Sequence, residues 1–252
     1  MNVESTIEGL RLPTDFEIPI IATCVNHGFA ASGLVENWAL SLARLGLEKH
    51  VLIVALDDGA AKLTKNMPGT TLRWNAANLP VPSRDSLLFR REGWKPVVFS
   101  KVACVGMLLE AGYPVLFSDA DVVFLRNPLT WFQDEHLTDF AFQSDTDSEV
   151  NSHCPSLLCS GLYFALPTQA AIETLNYNEN DLNAHGGEQD FFRRRLATDQ
   201  SARCTMLPLE LFPNGAYWQK HSPPDPVAVH ANWVVGDADK IALLRRTGLW
   251  LL

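Results

Sequence analysis

Hydrophobic residues in the first half of the chain form short runs and spaced stripes in alternation. Residues 18–25 and 51–56 are β-branched apolar runs of the kind that form buried strands. Between them, apolar residues recur at helical spacing over 34–45, and Gly46 stands where a helix commonly ends. The Gly- and Ala-containing stretch 26–32 indicates a loop. Together these segments predict a βαβ unit with parallel strands and a right-handed crossover.

A second set of strand and helix patterns follows. Residues 71–74 favour a short strand, and the charged, proline-containing stretch 80–92 favours a loop. One apolar stripe runs over 98–109 behind Pro96, a residue suited to the first turn of a helix. Residues 115–117 then form a strand that leads directly into two aspartates.

The second half of the chain mixes short strands with loops. Its predicted elements are strands at 140–143, 162–166 and 227–230 and a helix at 188–196. The chain as a whole predicts one α/β domain. A Rossmann-like half with a mostly parallel sheet covers about 18–128, and it merges into an α+β half over about 129–252.

Composition and charge narrow the functional classes. The 252 residues carry a formal net charge of -9, with 47% hydrophobic and 19% charged residues, as in a soluble globular protein. This charge provides no basic footprint for a nucleic-acid backbone, so we expect no nucleic-acid partner. No run of about 18 apolar residues occurs, which predicts no membrane segment in this sequence. The oligomeric state has no signal in the sequence.

The cysteines and the N-terminal residues bear on the cellular compartment. The five cysteines are Cys24, Cys104, Cys154, Cys159 and Cys204. Their odd number and the lack of a C-x-x-C pattern predict neither a disulfide framework nor a zinc site, and Cys24 and Cys104 are expected in the core. Residues 1–16 lack the apolar region of a signal peptide. These features favour the cytoplasm, or the Golgi lumen if a membrane anchor has been removed.

The strongest local signal for chemistry is an aspartate pair in an apolar stretch. Three D-x-D pairs occur in the chain: Asp119 with Asp121, Asp145 with Asp147, and Asp237 with Asp239. The second pair lies among polar residues typical of a solvated loop, and the third precedes a helix that it could cap. Only the first pair follows a buried strand, at the edge of an α/β sheet where ligands bind.

Asp119 and Asp121 favour a divalent cation. Alternate residues of an extended chain point to the same side, so both carboxylates could face one ligand. Two like charges among apolar residues are costly without a cation. Carboxylate oxygens suit hard ions such as Mn²⁺ or Mg²⁺, and such an ion can also hold phosphate oxygens.

Four segments in one order carry a family resemblance. They are residues 100–128 around Asp119 and Asp121, Ser160-Gly161-Leu162-Tyr163-Phe164-Ala165, Glu188-Gln189-Asp190, and Val229-His230-Ala231-Asn232-Trp233 with Gly236 and Lys240. Together they resemble the nucleotide-diphospho-sugar transferases related to the plant rhamnogalacturonan xylosyltransferases. The resemblance implies a GT-A fold and a retaining, metal-dependent transfer of a sugar. The implied donor is a nucleotide-diphosphate sugar, most commonly a UDP-sugar, and the implied acceptor is a hydroxyl of a glycan or protein.

The resemblance also implies a metal and diphosphate site. Asp121 and His230 would be metal ligands, and Asp119 would contact the metal or the donor ribose. Lys240 would contact the diphosphate. Taken alone, His230 is also consistent with a structural histidine at a strand end, and Lys240 with a solvated helix residue.

Further residues are implied around the donor and the reacting sugar. Gln189 and Asp190 would lie beside the reacting sugar, although as sequence they are also typical of a helix N-terminus. The first-strand loop, around Thr23 and Asn26, would hold the nucleotide base. Lys101 lies at the edge of an apolar helix stripe, where a lysine can snorkel or can reach the donor from beneath Asp119. Aromatic candidates for stacking on a sugar or base are Trp74, Trp94, Trp218 and Trp233, although aromatic residues more often fill the core.

Two other functions fit parts of the same pattern. A phosphatase of the haloacid dehalogenase type would use Asp119 as its nucleophile, because Asp119-Ala120-Asp121-Val122-Val123 also resembles the nucleophile motif of that family. That nucleophile normally follows the first strand of the fold, whereas here a βαβ unit precedes it. A non-catalytic module that binds nucleotide-sugars would show the same metal site without turnover.

Overall fold

The computed structural model describes residues 18–74, 94–132, 138–147, 154–199 and 201–252. The described strands are β1 (Ile20–Val25), β2 (Val51–Ala55), β3 (Thr70–Arg73), β4 (Val115–Ser118), β5 (Val122–Phe124), β6 (Phe140–Ser144), β7 (Leu158–Ala165), β8 (Cys204–Met206) and β9 (Ala228–His230). The described helices are α1 (His27–Ser32), α2 (Leu34–Ala43), α3 (Asp58–Thr64), α4 (Trp94–Glu110), α5 (Leu129–Phe132), α6 (Gln169–Leu175), α7 (Glu179–Ala184), α8 (Glu188–Thr198), α9 (Gly215–His221) and α10 (Asp237–Arg246).

The predicted elements are confirmed within a few residues of their predicted ends. The predicted strand at 162–166 is longer in the structure, because β7 begins at Leu158. The apolar stripe behind Pro96 is helix α4, and Gly112 follows it with a φ of 89°. That φ lies in the left-handed region that glycine favours, which explains the stop at this point. The loop predicted at 80–92 lies outside the described residues.

A seven-stranded sheet in the order β3-β2-β1-β4-β7-β6-β8 runs through both halves of the chain. The pairings β1–β2, β2–β3 and β1–β4 are parallel, which confirms the predicted βαβ unit and the Rossmann-like half. Strand β7 is antiparallel to both β4 and β6. Strands β5 and β9 form a separate antiparallel pair, and β5 is the next strand after β4 in the chain.

Apolar layers cover both faces of the sheet. On one face, α4 packs against β1 and β4, with α6 and α8 beside it. On the other face, Trp38 of α2 packs with Ile21 and Ile53, all fully buried. Burial of each such side chain stabilises the fold by about 1.5–3 kcal/mol relative to exposure. A smaller third cluster, which includes Val123, Val229 and Leu243, joins the β5–β9 pair to α10.

The stretch 26–32, predicted as a loop, is helix α1 over His27–Ser32. Asn26 begins this helix, because its side-chain Oδ1 accepts a hydrogen bond from the backbone N–H of Phe29 at 3.1 Å. Gly33, with a φ of 86°, ends α1 and begins α2. A helix of fewer than two turns leaves no apolar period in the sequence, so the prediction of a loop was wrong.

Cys154 and Cys204 form a disulfide, which corrects the prediction of no disulfide framework. The bond links the segment before β7 to the first residue of β8, across 50 residues of sequence. Cysteine count and spacing carry no information on such a distant pairing. Cys24 and Cys104 are free and buried, as predicted for core residues. Among the described residues, no helix has both the length and the apolar character needed to cross a bilayer.

Candidate active site

Asp119 and Asp121 lie in a tight turn between β4 and β5. The backbone N–H of Val122 donates to the carbonyl of Asp119 at 3.1 Å, so the chain bends here and is not extended. The predicted reason for the two carboxylates to share a side is therefore wrong. The turn itself brings them together, and it is fixed on two sides. Asp119 N–H donates to the carbonyl of Gly161 at 2.7 Å, and Ala231 N–H donates to the carbonyl of Asp121 at 3.0 Å.

Asp119, Asp121 and His230 form one cluster. Ligand atoms of the three side chains lie within 4.8 Å of one another. His230 reaches the cluster because the β5–β9 ladder pairs it with Val122, the residue after Asp121. Asp121 is 5% exposed and His230 is 2% exposed. Two carboxylates and one imidazole are a ligand set that suits Mn²⁺ and, through the carboxylates, Mg²⁺.

Gly161 of β7 leaves space for this cluster because it has no side chain. A Cβ built on Gly161 would overlap the imidazole of His230 and stand 2.8 Å from Oδ2 of Asp119. The backbone at 161 therefore forms the floor of the site, and any larger residue would displace two of its three candidate ligands.

A lysine and the histidine neutralise Asp121. Lys240 Nζ lies 2.5 Å from Oδ2 of Asp121, and His230 Nε2 lies 3.2 Å from Oδ1. The second ring nitrogen of His230, Nδ1, is 2.7 Å from Oε1 of the buried Gln143, which fixes the plane of the ring. Burial opposes the charge on Asp121, but Lys240 and His230 hold the pKa of this carboxyl well below its usual range. Lys240 is thus a partner of the cluster of Asp119, Asp121 and His230 and not a solvated helix residue.

Lys101 bridges Asp119 and a second buried acid. Its Nζ lies 2.6 Å from Oδ1 of Asp119 and 3.3 Å from Oε1 of Glu188. The side chain is 12% exposed and points to Asp119, so Lys101 does not snorkel, which was one of the two alternatives open from the sequence. Burial opposes the charge on Lys101, but the two carboxylates raise the pKa of its ammonium above its usual value.

Glu188 is a site residue that sequence reasoning missed. It is 5% exposed, and its Oε1 also accepts a hydrogen bond from the hydroxyl of Ser160 at 3.1 Å. In the sequence it is the first acid of the acidic-Gln-acidic segment, where a favourable helix N-terminus explains it equally well. Its burial against Lys101, 87 residues away, is visible only once the chain is folded.

Gln189 and Asp190 point in different directions. Gln189 Oε1 accepts a hydrogen bond from Ser160 N–H at 3.2 Å, and its Nε2 donates to Asp145 at 2.9 Å. Asp145 is therefore tied to α8, which corrects its interpretation as part of a solvated loop. Asp190 is 38% exposed and accepts from Gly186 N–H at 3.1 Å and from Arg194 at 3.3 Å. Only Gln189 of the pair is linked through Ser160 to the Lys101–Glu188 group.

The residues expected to hold the base lie at the carboxyl end of β1. The side chain of Thr23 is fully buried inside the strand, and Asn26 caps α1. Next to Asn26, the carboxylate of Asp57 accepts from the backbone N–H groups of His27 and Ala60, both at 2.8 Å. Thr23 is therefore turned into the core, whereas Asn26 and Asp57 stand together where β1 and β2 end.

The aspartates at the start of α10 do not cap it. The cap position is Gly236, which has no side chain to accept a hydrogen bond, and Asp237 and Asp239 lie in the first turn. Acids at this position still favour the helix through its dipole. Their pattern is therefore explained by helix formation and not by a second metal site.

Comparisons with known proteins agree on one family. The model of the nucleotide-diphospho-sugar transferase family matches residues 46–244. The chain is similar to beta-arabinofuranosyltransferase RAY1 of Arabidopsis thaliana, at 29% identity over 98% of this chain and 52% of the relative. It is also similar to the UDP-D-xylose:L-fucose alpha-1,3-D-xylosyltransferase MGP4 of the same plant, at 26% identity over 86% of this chain and 66% of that relative. The chain thus spans about half to two thirds of the length of these relatives.

A solved structure shares the fold. The apo form of mouse xyloside xylosyltransferase 1 superposes with a TM-score of 0.55 at 16% identity, over 87% of this chain and 98% of that one. At this identity the likeness concerns the fold alone. The GT-A fold expected from the sequence is confirmed.

Proposed function

The chain belongs to the nucleotide-diphospho-sugar transferase family, and from this membership we propose that it is a metal-dependent, retaining glycosyltransferase. It moves a sugar from a UDP-sugar to a hydroxyl of a glycan or protein acceptor. The observation that carries the proposal is the cluster of Asp119, Asp121 and His230, with ligand atoms within 4.8 Å, beside the cation Lys240. The family match also favours this function over a phosphatase that uses Asp119 as nucleophile.

The reaction breaks the bond between the anomeric carbon and a phosphate oxygen of the donor. The bond electrons leave with the nucleoside diphosphate, the acceptor oxygen bonds to the anomeric carbon, and the proton of the acceptor hydroxyl passes to an oxygen of the departing diphosphate. Charge therefore develops in two places: negative on the departing diphosphate and positive on the sugar ring. When bound, Mn²⁺ or Mg²⁺ supplies Lewis-acid stabilisation of the diphosphate charge.

The residues of this chain have separate parts in that scheme. Asp119, Asp121 and His230 hold the metal, and Gly161 leaves the room for it. Lys240, already 2.5 Å from Asp121, offers the diphosphate a second positive contact in a preorganised position. Gln189 presents an amide beside the reacting sugar, where an oxygen favours positive charge. Asp190 is turned to Arg194. We therefore assign the contact with the reacting sugar to Gln189.

The donor sugar is assigned to the connected group of Lys101, Asp119 and Glu188. Sugars carry hydroxyl groups that both donate and accept hydrogen bonds, and these side chains offer both kinds of partner. The base is assigned to Asn26 and Asp57 at the ends of β1 and β2, with Thr23 contributing from inside the strand through packing. UDP is the favoured nucleotide because the relative MGP4 is named for a UDP-D-xylose donor.

The disulfide bears on the compartment. Disulfides persist in oxidising compartments and are rare in the cytosol. The Cys154–Cys204 bond therefore favours the Golgi lumen over the cytoplasm, the two compartments predicted from the sequence. Thiol titration of the denatured protein, purified without reductant, should find three free cysteines, and five would contradict this assignment.

The proposed function is tested by nucleotide binding with and without metal. We expect UDP and its sugar conjugates to raise the melting temperature and to bind in calorimetry only when Mn²⁺ is present, with GDP as the matched control. Slow release of UDP from one conjugate then identifies the sugar. If no nucleotide binds with Mn²⁺, the proposal is wrong. If a nucleotide binds but no conjugate turns over with any acceptor or with water, the non-catalytic module is supported instead.

A further inference from the structure

The segments at both ends of the loop over residues 231–236 are hydrogen-bonded to Asp121. At its start, Ala231 N–H donates to the backbone carbonyl of Asp121 at 3.0 Å. At its far end, Gly236 begins α10, and this helix returns Lys240 to the carboxylate of the same aspartate. The residues at the crest of this loop therefore stand at the rim of the metal cluster.

Two inward-facing residues hold the loop in place. Asn232 Oδ1 accepts from Gly215 N–H at 2.6 Å, and its Nδ2 lies 3.6 Å from Sγ of Cys159 on β7. The backbone of Gly215 approaches Asn232 so closely that a Cβ at 215 would overlap the Asn232 carbonyl. Val234 packs into the apolar cluster that includes Leu243. These contacts therefore fix the loop against α9, β7 and the apolar cluster under α10.

The two residues on either side of Val234 face outward and are apolar. Trp233 is 59% exposed and Val235 is 70% exposed, which puts them among the most exposed large hydrophobic residues that the structure describes. Trp233 also has a φ of 61°, in the left-handed region that costs a non-glycine residue on the order of 1–2 kcal/mol. This conformation lies between the anchored residues 232 and 234, and the indole is exposed.

We propose that Trp233 is the stacking platform for the acceptor, a neutral sugar whose ring lies on the indole face beside the metal cluster. This inference rests on the proposed transferase function. An indole offers a large, rigid face to the apolar C–H side of a sugar ring and loses little conformational entropy when it binds.

The position of the loop favours the acceptor sugar, and not the nucleotide base, as the group that stacks on Trp233. Asn232 ties the loop to Cys159 of β7 and to Gly215 of α9. The assigned base site at Asn26 lies at the end of β1, and β4 with its metal turn separates β1 from β7 in the sheet. A sugar on Trp233 therefore approaches the anomeric carbon from the side away from the base.

The test separates acceptor binding from donor binding. Saturation-transfer NMR is recorded with a panel of neutral methyl glycosides, including methyl α-L-fucopyranoside, on the protein saturated with Mn²⁺ and UDP. We expect Trp233→Ala to weaken glycoside binding at least tenfold, Trp233→Phe to retain most of it, and the loop control Val235→Ser to change it less than threefold. Calorimetric affinity for Mn²⁺–UDP should stay within twofold in all three variants.

Three outcomes would overturn the assignment. They are glycoside binding by Trp233→Ala equal to the wild type, a tenfold loss of Mn²⁺–UDP affinity in that variant, and no glycoside signal on the wild type. An equal loss in Val235→Ser would also contradict it, because the effect would then belong to the loop and not to the indole. Failure of the proposed function is distinct, since the wild type would then not bind Mn²⁺–UDP at all.

Discussion

The backbone of Gly161 lies directly against the imidazole of His230, at the floor of the acidic cluster. This contact joins two strands that are not hydrogen-bonded neighbours, because β7 belongs to the main sheet and β9 to the small one. A Cβ at 161 would also stand 2.8 Å from Oδ2 of Asp119. The absence of a side chain at one position therefore sets the geometry of two candidate metal ligands.

Gly161→Ala should fold and lose most of its affinity for metal. The added methyl group has backbone on one side and His230 on the other, so the imidazole and the Asp119 carboxylate must move. We expect Mn²⁺ affinity, measured by calorimetry, to fall at least tenfold. The matched control is Gly106→Ala in α4, where a Cβ meets only Leu175 at 3.6 Å, an ordinary contact. Unchanged Mn²⁺ binding in a folded Gly161→Ala variant would rule out this site.

Asp121→Asn should abolish metal-dependent binding of UDP. The substitution keeps the shape of the side chain but removes the charge that Lys240 and His230 surround. We expect no calorimetric heat for UDP with Mn²⁺, while the circular dichroism spectrum stays native. Asp225→Asn is the control, since Asp225 is an exposed partner of Arg126. This variant should bind UDP with Mn²⁺ as the wild type does. An Asp121→Asn variant with normal Mn²⁺–UDP affinity would contradict the metal assignment.

The sequence was sufficient to find the two aspartates but not all of their partners. An apolar strand followed by acids is a local pattern, and it identified Asp119 and Asp121. His230 and Lys240 had weak local signals, and the family resemblance selected them. Glu188 was missed because the same residue type is favourable at any helix N-terminus, and only the fold brings it to Lys101. The strands were predictable from apolar runs, whereas α1 was too short to show a period.

The Cys154–Cys204 pairing and the role of the turn were also beyond the sequence. Residues 50 positions apart in sequence are brought together by the pairing of β6 with β7 and β8, which no spacing rule encodes. Asp119 and Asp121 share one side, as predicted, but not because the chain is extended there. The turn brings them together because Asp119 is hydrogen-bonded to Gly161 of β7 and Asp121 to Ala231, the residue after β9.

Glu188→Gln should impair donor use more than metal binding. The substitution leaves Lys101 with one carboxylate, Asp119, instead of two, so the lysine is drawn closer to the metal ligand and its position changes. We expect the KM for the donor sugar to rise severalfold and unfolding free energy to fall by about 1–3 kcal/mol, because a buried charged hydrogen bond is lost. The control is Glu173→Gln, on the exposed side of α6. If Mn²⁺ affinity falls as much as donor affinity, Glu188 acts through the metal and not through the sugar.

Metal affinity should rise with pH through the titration of His230. Burial disfavours the charged ring, but the neighbouring Asp121 outweighs this and raises the pKa of His230 to about 10. Below that pH the ring carries a proton, and a metal ligand must be neutral, so metal binding has to release the proton. Apparent Mn²⁺ affinity should therefore increase between pH 6 and 8, by up to about tenfold per unit. Calorimetry in two buffers of different ionisation enthalpy should find about one proton released per ion at pH 7. His230→Gln should bind more weakly and lose the pH dependence, whereas a wild-type affinity that is flat over this range would mean that the imidazole is not a ligand.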